Sequence, residues 1–347
     1  MNASLDILSP GPGMTVQDLG RPGYQRLGIP VGGALDPFSL RAANVLVGNA
    51  PDVGALEIAY RGPKFRLLAA SARVAFFGAP ARIALRRRGA RIDLAVGCSH
   101  RLESEDVVEV GALEGAATLY AAFEGGFDIP PLLGGVSTYL RGGFGGWQGR
   151  ALRLGDQLPL ARSWVEERAE SRLNGLGPPP TASLRVVDGP QLDYFADHEI
   201  AAFYDSEYSV GPGADRMGVR LFGPPVRPSR GHDIVSDGVV PGSIQIPGDG
   251  QPIVLRCEHQ TTGGYPKIAT VITADWPALG RLAIGAKIRF QRVTMAEADA
   301  ARRSYAAAVE TLPSRIETVP AAETDVSSRL WAANLISGVY DGQLDQA

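Results

Sequence analysis

Apolar residues in this chain come in short runs separated by Gly, Pro, Asn or Asp, and helical spacing is rare. Leu5-Asp6-Ile7-Leu8 alternates as a half-buried strand does and then meets the turn Pro10-Gly11-Pro12-Gly13. The same reading predicts strands over 73–77, 81–85, 91–95 and 119–123. A strand over 184–187 opens the second half, and 252–257 and 268–273 read as two buried strands around a polar loop. Many short strands at this spacing predict a barrel or sandwich, a mainly β chain rather than a parallel α/β sheet.

The predicted helices are few. Asp36 as N-cap, Pro37 in the first turn, an apolar stripe of Phe38, Ala42, Val45 and Leu46, and Gly48 at the end mark the clearest one. A second is expected from about Gln191 to Phe203. Thr294 and Glu297 form a capping-box signature for a third, running to about Thr311. A polar tether over 313–324 follows, and then a last amphipathic pattern over 326–339 through Leu330, Ala333, Leu335 and Ile336.

Residues 166–182, charged and then rich in Gly and Pro, read as a linker. They divide the chain into a β module over 1–165, a second over 183–293 and a helical extension over 294–347. A faint internal echo supports a doubled architecture: Gly149-Arg150 then Gly155-Asp156-Gln157-Leu158 resembles Gly280-Arg281 then Gly285-Ala286-Lys287-Ile288. The glycine-heavy stretch 125–155 keeps Tyr139, Phe144 and Trp147 for packing and reads as an ordered crossing.

With 347 residues and a hydrophobic fraction of 45%, the chain can fill two cores. A net charge of -3 gives no electrostatic footprint for nucleic acid or an anionic membrane. The amino terminus lacks a signal-peptide pattern and no apolar run approaches the roughly 20 residues of a bilayer span, which points to the cytoplasm. Two cysteines, Cys98 and Cys257, are too few for a disulfide scaffold. With His100, His198, His232 and His259 scattered, no metal-ligand spacing appears.

The densest candidate chemistry lies in 251–270, QPIVLRCEHQTTGGYPKIAT. Gln251, Gln260, Thr261, Thr262, Tyr265 and Lys267 offer amide, hydroxyl, phenol and ammonium groups, a mixture suited to a small carboxylate or amide. Gly263 and Gly264 allow positive φ and close approach of a ligand to the backbone. The competing reading is a hairpin with a polar tip. The chain has only three lysines, Lys64, Lys267 and Lys287, against 31 arginines, so the ammonium group at this loop stands out. Gln17, Asp18 and Arg21 form either an internal clasp or a ligand set, and Gln245 and Arg216 lie on loops leading to the central motif. Asp36 is explained by its capping role. Glu57, a carboxylate in an apolar strand, needs a partner or a function.

Long motifs bring a resemblance into view: TVQDLGRPGYQRLGIPVGGALDPFSLRAANVLVGN, ALEI, YLRGGFGGWQGRALRLGD, DRMGVRL, VVPGSIQIPGDGQPIVL and QTTGGYPKIATVI. Over roughly 5–300 the chain resembles the biotin-dependent carboxyltransferase family, also known as allophanate hydrolase subunit 2 or KipA, which includes the C subunit of 5-oxoprolinase. The resemblance implies two tandem cyclophilin-like β-barrels. It also implies partners, the KipI-like B subunit and the A subunit of 5-oxoprolinase, in a complex that uses ATP to open 5-oxoproline to glutamate. In that setting Lys267 and the Gly263-Gly264 amides would stabilise an oxyanion, Glu258 or Asp18 would move protons, and Arg21 or Arg216 would hold the substrate carboxylate. Carboxyl transfer from biotin and KipA-type sequestration of a kinase inhibitor are the alternatives. The chain has neither a Met-Lys biotinylation site nor a GxxxxGK[ST] loop, so no cofactor is expected covalently bound, and ATP or biotin chemistry would fall to other chains. It departs from the family pattern at Gly135-Val136, where a Ser-Arg pair is frequent, at Glu258-His259, where Asp and often Arg are common, and in its long tail.

Overall fold

The alternation around Leu5 and Ile7 sets the first sheet. Strand Ser4–Ser9 buries both side chains and pairs antiparallel with Lys64–Leu68 on one side and Gln157–Pro159 on the other. Val107–Leu113, Ala81–Arg87 and Ala90–Leu94 extend it to six strands. A second sheet of five runs in the order Thr15–Gln17, Ala55–Ala59, Thr118–Phe123, Ser71–Gly78, Ser99–Glu103. Ser71–Gly78 is buried along its whole length because both its faces are covered. Val74 and Phe76 meet the first sheet, while Ala75 and Phe77 meet helix Pro37–Val47 on the other side. The computed structural model describes residues 3–173 and 183–320.

In the second half the strands close. Ser183–Asp188, Lys267–Val271, Ser243–Gln245, Ile253–Leu255, Gly218–Phe222, Tyr208–Val210 and Lys287–Arg292 follow one another round a barrel, sealed by the parallel pairing of the last strand with the first. Closure removes the exposed sheet edges. Leu184, Val219, Leu221, Ile244, Val254 and Ile288 fill the interior.

The chain is mainly β, as its pattern predicts, but only the second half is a closed barrel; the first is a pair of sheets around one core. The internal echo survives at one point. Gly155 donates to the Ile7 carbonyl and Ile7 to that of Asp156, at 2.8 and 2.9 Å; Gly285 and Val210, then Val210 and Ala286, repeat the two bonds at the same lengths. Both glycines have positive φ, which lets the chain turn into the following strand. The Arg halves of the echo part company: Arg150 pairs with Asp156, while Arg281 ends helix Trp276–Arg281.

Asp36 caps Pro37–Val47 by accepting from the amides of Phe38 and Ser39, and Gly48 ends the helix in the left-handed region. The segment expected as one helix from Gln191 splits into a 3-10 turn, Leu192–Tyr194, and helix Asp197–Asp205, because Phe195 turns extended between them to enter the barrel core. The capping box forms as expected at Thr294 and Glu297, opening helix Met295–Glu310. Tyr305 from that helix rests on Phe38, and Leu312 joins the same buried cluster. The expected tether carries a strand, Ile316–Thr318, paired with Ser171–Leu173 of the expected linker. Linker residues 174–182 and the tail pattern over 326–339 lie outside the described residues. Among the described residues, no helix is long and apolar enough to cross a membrane.

Candidate functional site

The barrel rim brings much of the central motif together. Gln245 lies opposite Lys267 across adjacent strands, and Gln260 Nε2 reaches Gln245 Oε1 at 3.4 Å. Thr262–Gly263 pairs with Asp237–Gly238 as a small ribbon over the rim. Lys267 anchors that ribbon: its Nζ lies 2.8 Å from Asp237 Oδ2, with the ammonium side chain 3% exposed and the carboxylate 54%. The hydrogen bond from Lys267 holds the Asp237 carboxyl below its ordinary range. Gln191 completes the contact, accepting from the Lys267 amide at 3.2 Å.

Gly263 serves close packing rather than positive φ. Neither it nor Gly264 lies in the left-handed region, and a Cβ on Gly263 would collide with Gln245 Nε2. The Gly264 carbonyl accepts from Ile234, and that of Thr261 from Val239. Tyr265 projects outward, 38% exposed.

One strand away, a buried ionic network joins the two halves. Arg216 Nε donates to Glu258 at 2.5 Å, Nη1 to Glu57, and Nη2 to the Gly33 carbonyl at 2.5 Å. Glu57, in turn, accepts from the Leu35 amide at 2.8 Å and from the Tyr120 hydroxyl at 2.5 Å. Tyr120 accepts from the Asp36 amide, and Asp36 pairs with Arg281 at 2.6 Å. Burial opposes the Arg216 charge, but Cys257, Glu57 and Glu258 outweigh it and raise its pKa further above the ordinary value. Burial pushes the Cys257 thiol up to about 12, so it carries no thiolate at neutral pH. The expected partner of Glu57 is therefore Arg216, whose donors are committed to protein rather than offered to a substrate carboxylate. Glu258 keeps Oε2 without a hydrogen bond among the described residues.

Asp18 is likewise spent. It accepts from Gly20 at 2.7 Å, from Val136 at 2.6 Å and from the Ser137 hydroxyl, which ties its loop to the 125–155 crossing. Gln17 binds Thr15 and the Thr138 carbonyl, leaving Oε1 buried and, among the described residues, unpartnered. Gln251 exchanges two bonds with Gly223 on another loop and does not reach the Lys267 cluster. Arg21, like Gln17, is buried with a polar atom to spare: it donates to the carbonyls of Ser137 and Leu132, lies over Phe144 and leaves Nη1 unpartnered among the described residues. Burial lowers its pKa, against the pull of Asp18 and Glu258.

Four side chains escape a reading of the sequence as site members: Asp237, Gln191, Ser137 and His259. His259 is wholly buried, with Nδ1 against the Gln260 carbonyl and Nε2 unpartnered among the described residues. Only its place next to Glu258 hints at it. Among the described residues, no three His, Cys, Asp or Glu side chains gather as metal ligands.

Burial lowers the pKa of His259 below 6.5, and does the same at His100. The unfolded chain then binds more protons than the folded one once the pH falls below that value, so stability is full above it and declines as the medium acidifies. Urea midpoints measured from pH 7.5 down to 5 are expected to fall, and His259→Gln to flatten the slope. An unchanged slope would mean that this imidazole protonates in place.

With that geometry in hand, comparison with known proteins identifies the class. Residues 27–292 match the carboxyltransferase domain, subdomains A and B, and the chain belongs to that family. It is 35% identical to the C subunit of 5-oxoprolinase from Escherichia coli, over 90% of this chain and 98% of that one. Identity to the Haemophilus influenzae counterpart is 33%, over 86% and 94%. The crystal structure of the Kluyveromyces lactis urea amidolyase superposes with a TM-score of 0.81 at 28% identity, covering 90% of this chain and 20% of that much longer one.

Proposed function

We propose that the chain is the C subunit of an ATP-dependent 5-oxoprolinase, acting with a KipI-like B subunit and an A subunit. The observation that carries this reading is the 35% identity extending over 98% of the E. coli C subunit, whereas the urea amidolyase match spans a fifth of its partner.

The reaction consumes 5-oxoproline, water and ATP and yields glutamate, ADP and phosphate. Opening the lactam needs a cation or N–H donor at the developing oxyanion, a proton carrier and a grip on the carboxylate. Lys267 is the cation at the rim, and Glu258, with its unengaged Oε2, is the proton carrier. Arg21, with Nη1 unpartnered, fits the carboxylate role better than Arg216, whose donors are occupied. Gln245 and Gln260 link the Glu258 and Lys267 portions of the motif and offer amides to the lactam. ATP would be handled on another chain of the complex.

The urea amidolyase superposition favours a second reading, carboxyl transfer from biotin on a separate carrier. The test is 5-oxoproline-dependent ATP hydrolysis by the A and B subunits with and without this chain. Turnover only with all three is the expected result. Turnover by the other two alone would defeat the proposal, and carboxylation of urea with a biotinylated carrier would establish the second reading.

A further inference from the structure

A cleft of about 690 Å³ lies between the two halves; Cys257 lines it and Lys267 does not. Its floor is apolar: Val31 and Leu35 from the first half face Leu255, Val271, Trp276 and Leu279 from the second, with helix Met295–Glu310 along one side. The charge in the lining is one-sided. Arg41, Arg256 and Arg302 line the cleft against the single acid Asp299, which is already paired with Arg302 at 2.9 Å.

Arg256 is the unusual member. It is 5% exposed and its partners are carbonyl oxygens alone: Leu279 at 2.7 Å, Asp215 at 3.2 Å and Leu282 at 3.5 Å. Among the described residues its Nε has no partner, nor has the indole Nε1 of Trp276 in the same lining. Among the described residues Arg41 also lacks a carboxylate partner, its side chain donating to the Pro37 carbonyl and the Tyr305 hydroxyl. Glu57 and Asp215 act on Arg256 only from a distance. A buried guanidinium with no carboxylate in contact among the described residues, on a residue that lines an apolar cavity, is an incomplete ion pair.

We infer that this cleft binds an amphipathic monocarboxylic acid, with its carboxylate on Arg256 and its apolar body against Trp276, Leu279 and Val271. The cavity has the size of a small-molecule pocket and exceeds what one five-membered lactam fills, so the ligand is a hydrophobic acid distinct from 5-oxoproline. The inference does not depend on the oxoprolinase reading, since none of the residues assigned there lines the cleft.

Titration calorimetry of the full chain with decanoate, and with decanol as the uncharged control, tests it. Saturable binding of decanoate at one site, at least about tenfold tighter than decanol, is expected from one charge-assisted contact. Arg256→Leu should remove that preference while leaving decanol binding in place. Because Arg256 also tethers three carbonyls, Ala298→Trp serves as the second variant: it fills the cleft from the helix and should abolish binding of both probes. No saturable decanoate binding by the unaltered chain, equal affinity for decanol, or decanoate binding untouched by Ala298→Trp would each overturn the inference.

Discussion

Lys267→Met is expected to lower 5-oxoproline-dependent ATP hydrolysis by about 10²–10³-fold in the reconstituted complex, the loss seen when one oxyanion donor is removed. The fold should survive. The Lys267 side chain is 3% exposed, so an unbranched apolar replacement of similar length suits its surroundings, and Asp237, 54% exposed, is left in water rather than stranded. The thermal midpoint should therefore move by only a few degrees. Asp237→Asn separates the two roles that the pair can play. If Lys267 serves only to pin the ribbon Asp237–Gly238 against Thr262–Gly263, both variants should impair the complex to the same degree. If the ammonium acts on the lactam, Asp237→Asn should retain most of the turnover. Full activity in Lys267→Met would remove this residue from the mechanism.

That prediction rests on a loop whose chemistry is legible in the sequence and whose geometry is not. The Asp36 cap, the Thr294–Glu297 box and the β pattern are local signals, set by a few adjacent residues, and they form where the pattern places them. Glu57 is recognisable as a carboxylate in need of company, but its partner lies 159 residues away, in the bend that precedes the barrel strand Gly218–Phe222. No periodicity connects such positions. Asp18 and Arg21 share one loop and one composition, yet one is consumed by Gly20, Val136 and Ser137 while the other keeps a nitrogen unpartnered, a distinction made by the 125–155 crossing. The glycine pair shows the same limit: its freedom is legible, and its use, to let Gln245 approach Gly263, depends on a neighbouring strand. Strand number alone suggests a barrel in the first half as well, but strand number does not decide whether a sheet closes.

Arg216→Met is expected to cost about 3–5 kcal/mol of stability, the larger effect on folding, because it strands two buried carboxylates at once. Glu57 is 5% exposed and Glu258 2%, and Arg216 is the ion-pair partner of both. Leu35 and Tyr120 would still donate to Glu57, but Tyr120 is a neutral donor: burial and the charges of Glu57 and Asp36 raise its pKa well above the ordinary value. One carboxylate on each half of the contact would be left without an ion-pair partner in contact, Arg21 and Arg256 acting on them only from a distance. Urea denaturation should show a lower midpoint, and neutralising both acids in Arg216→Met/Glu57→Gln/Glu258→Gln should recover most of the loss, since apolar or neutral groups tolerate burial where a lone charge does not. The triple variant also divides structure from chemistry. If the network only welds the two halves, turnover should return with stability. If Glu258 moves protons for the lactam, the triple variant should fold and remain inactive, while Glu57→Gln paired with Arg216→Met should show the reverse deficit, weak folding with the remaining activity confined to the folded fraction. A single Arg216→Met variant as stable as the unaltered chain would mean that water reaches both carboxylates and that the halves are held by apolar packing alone.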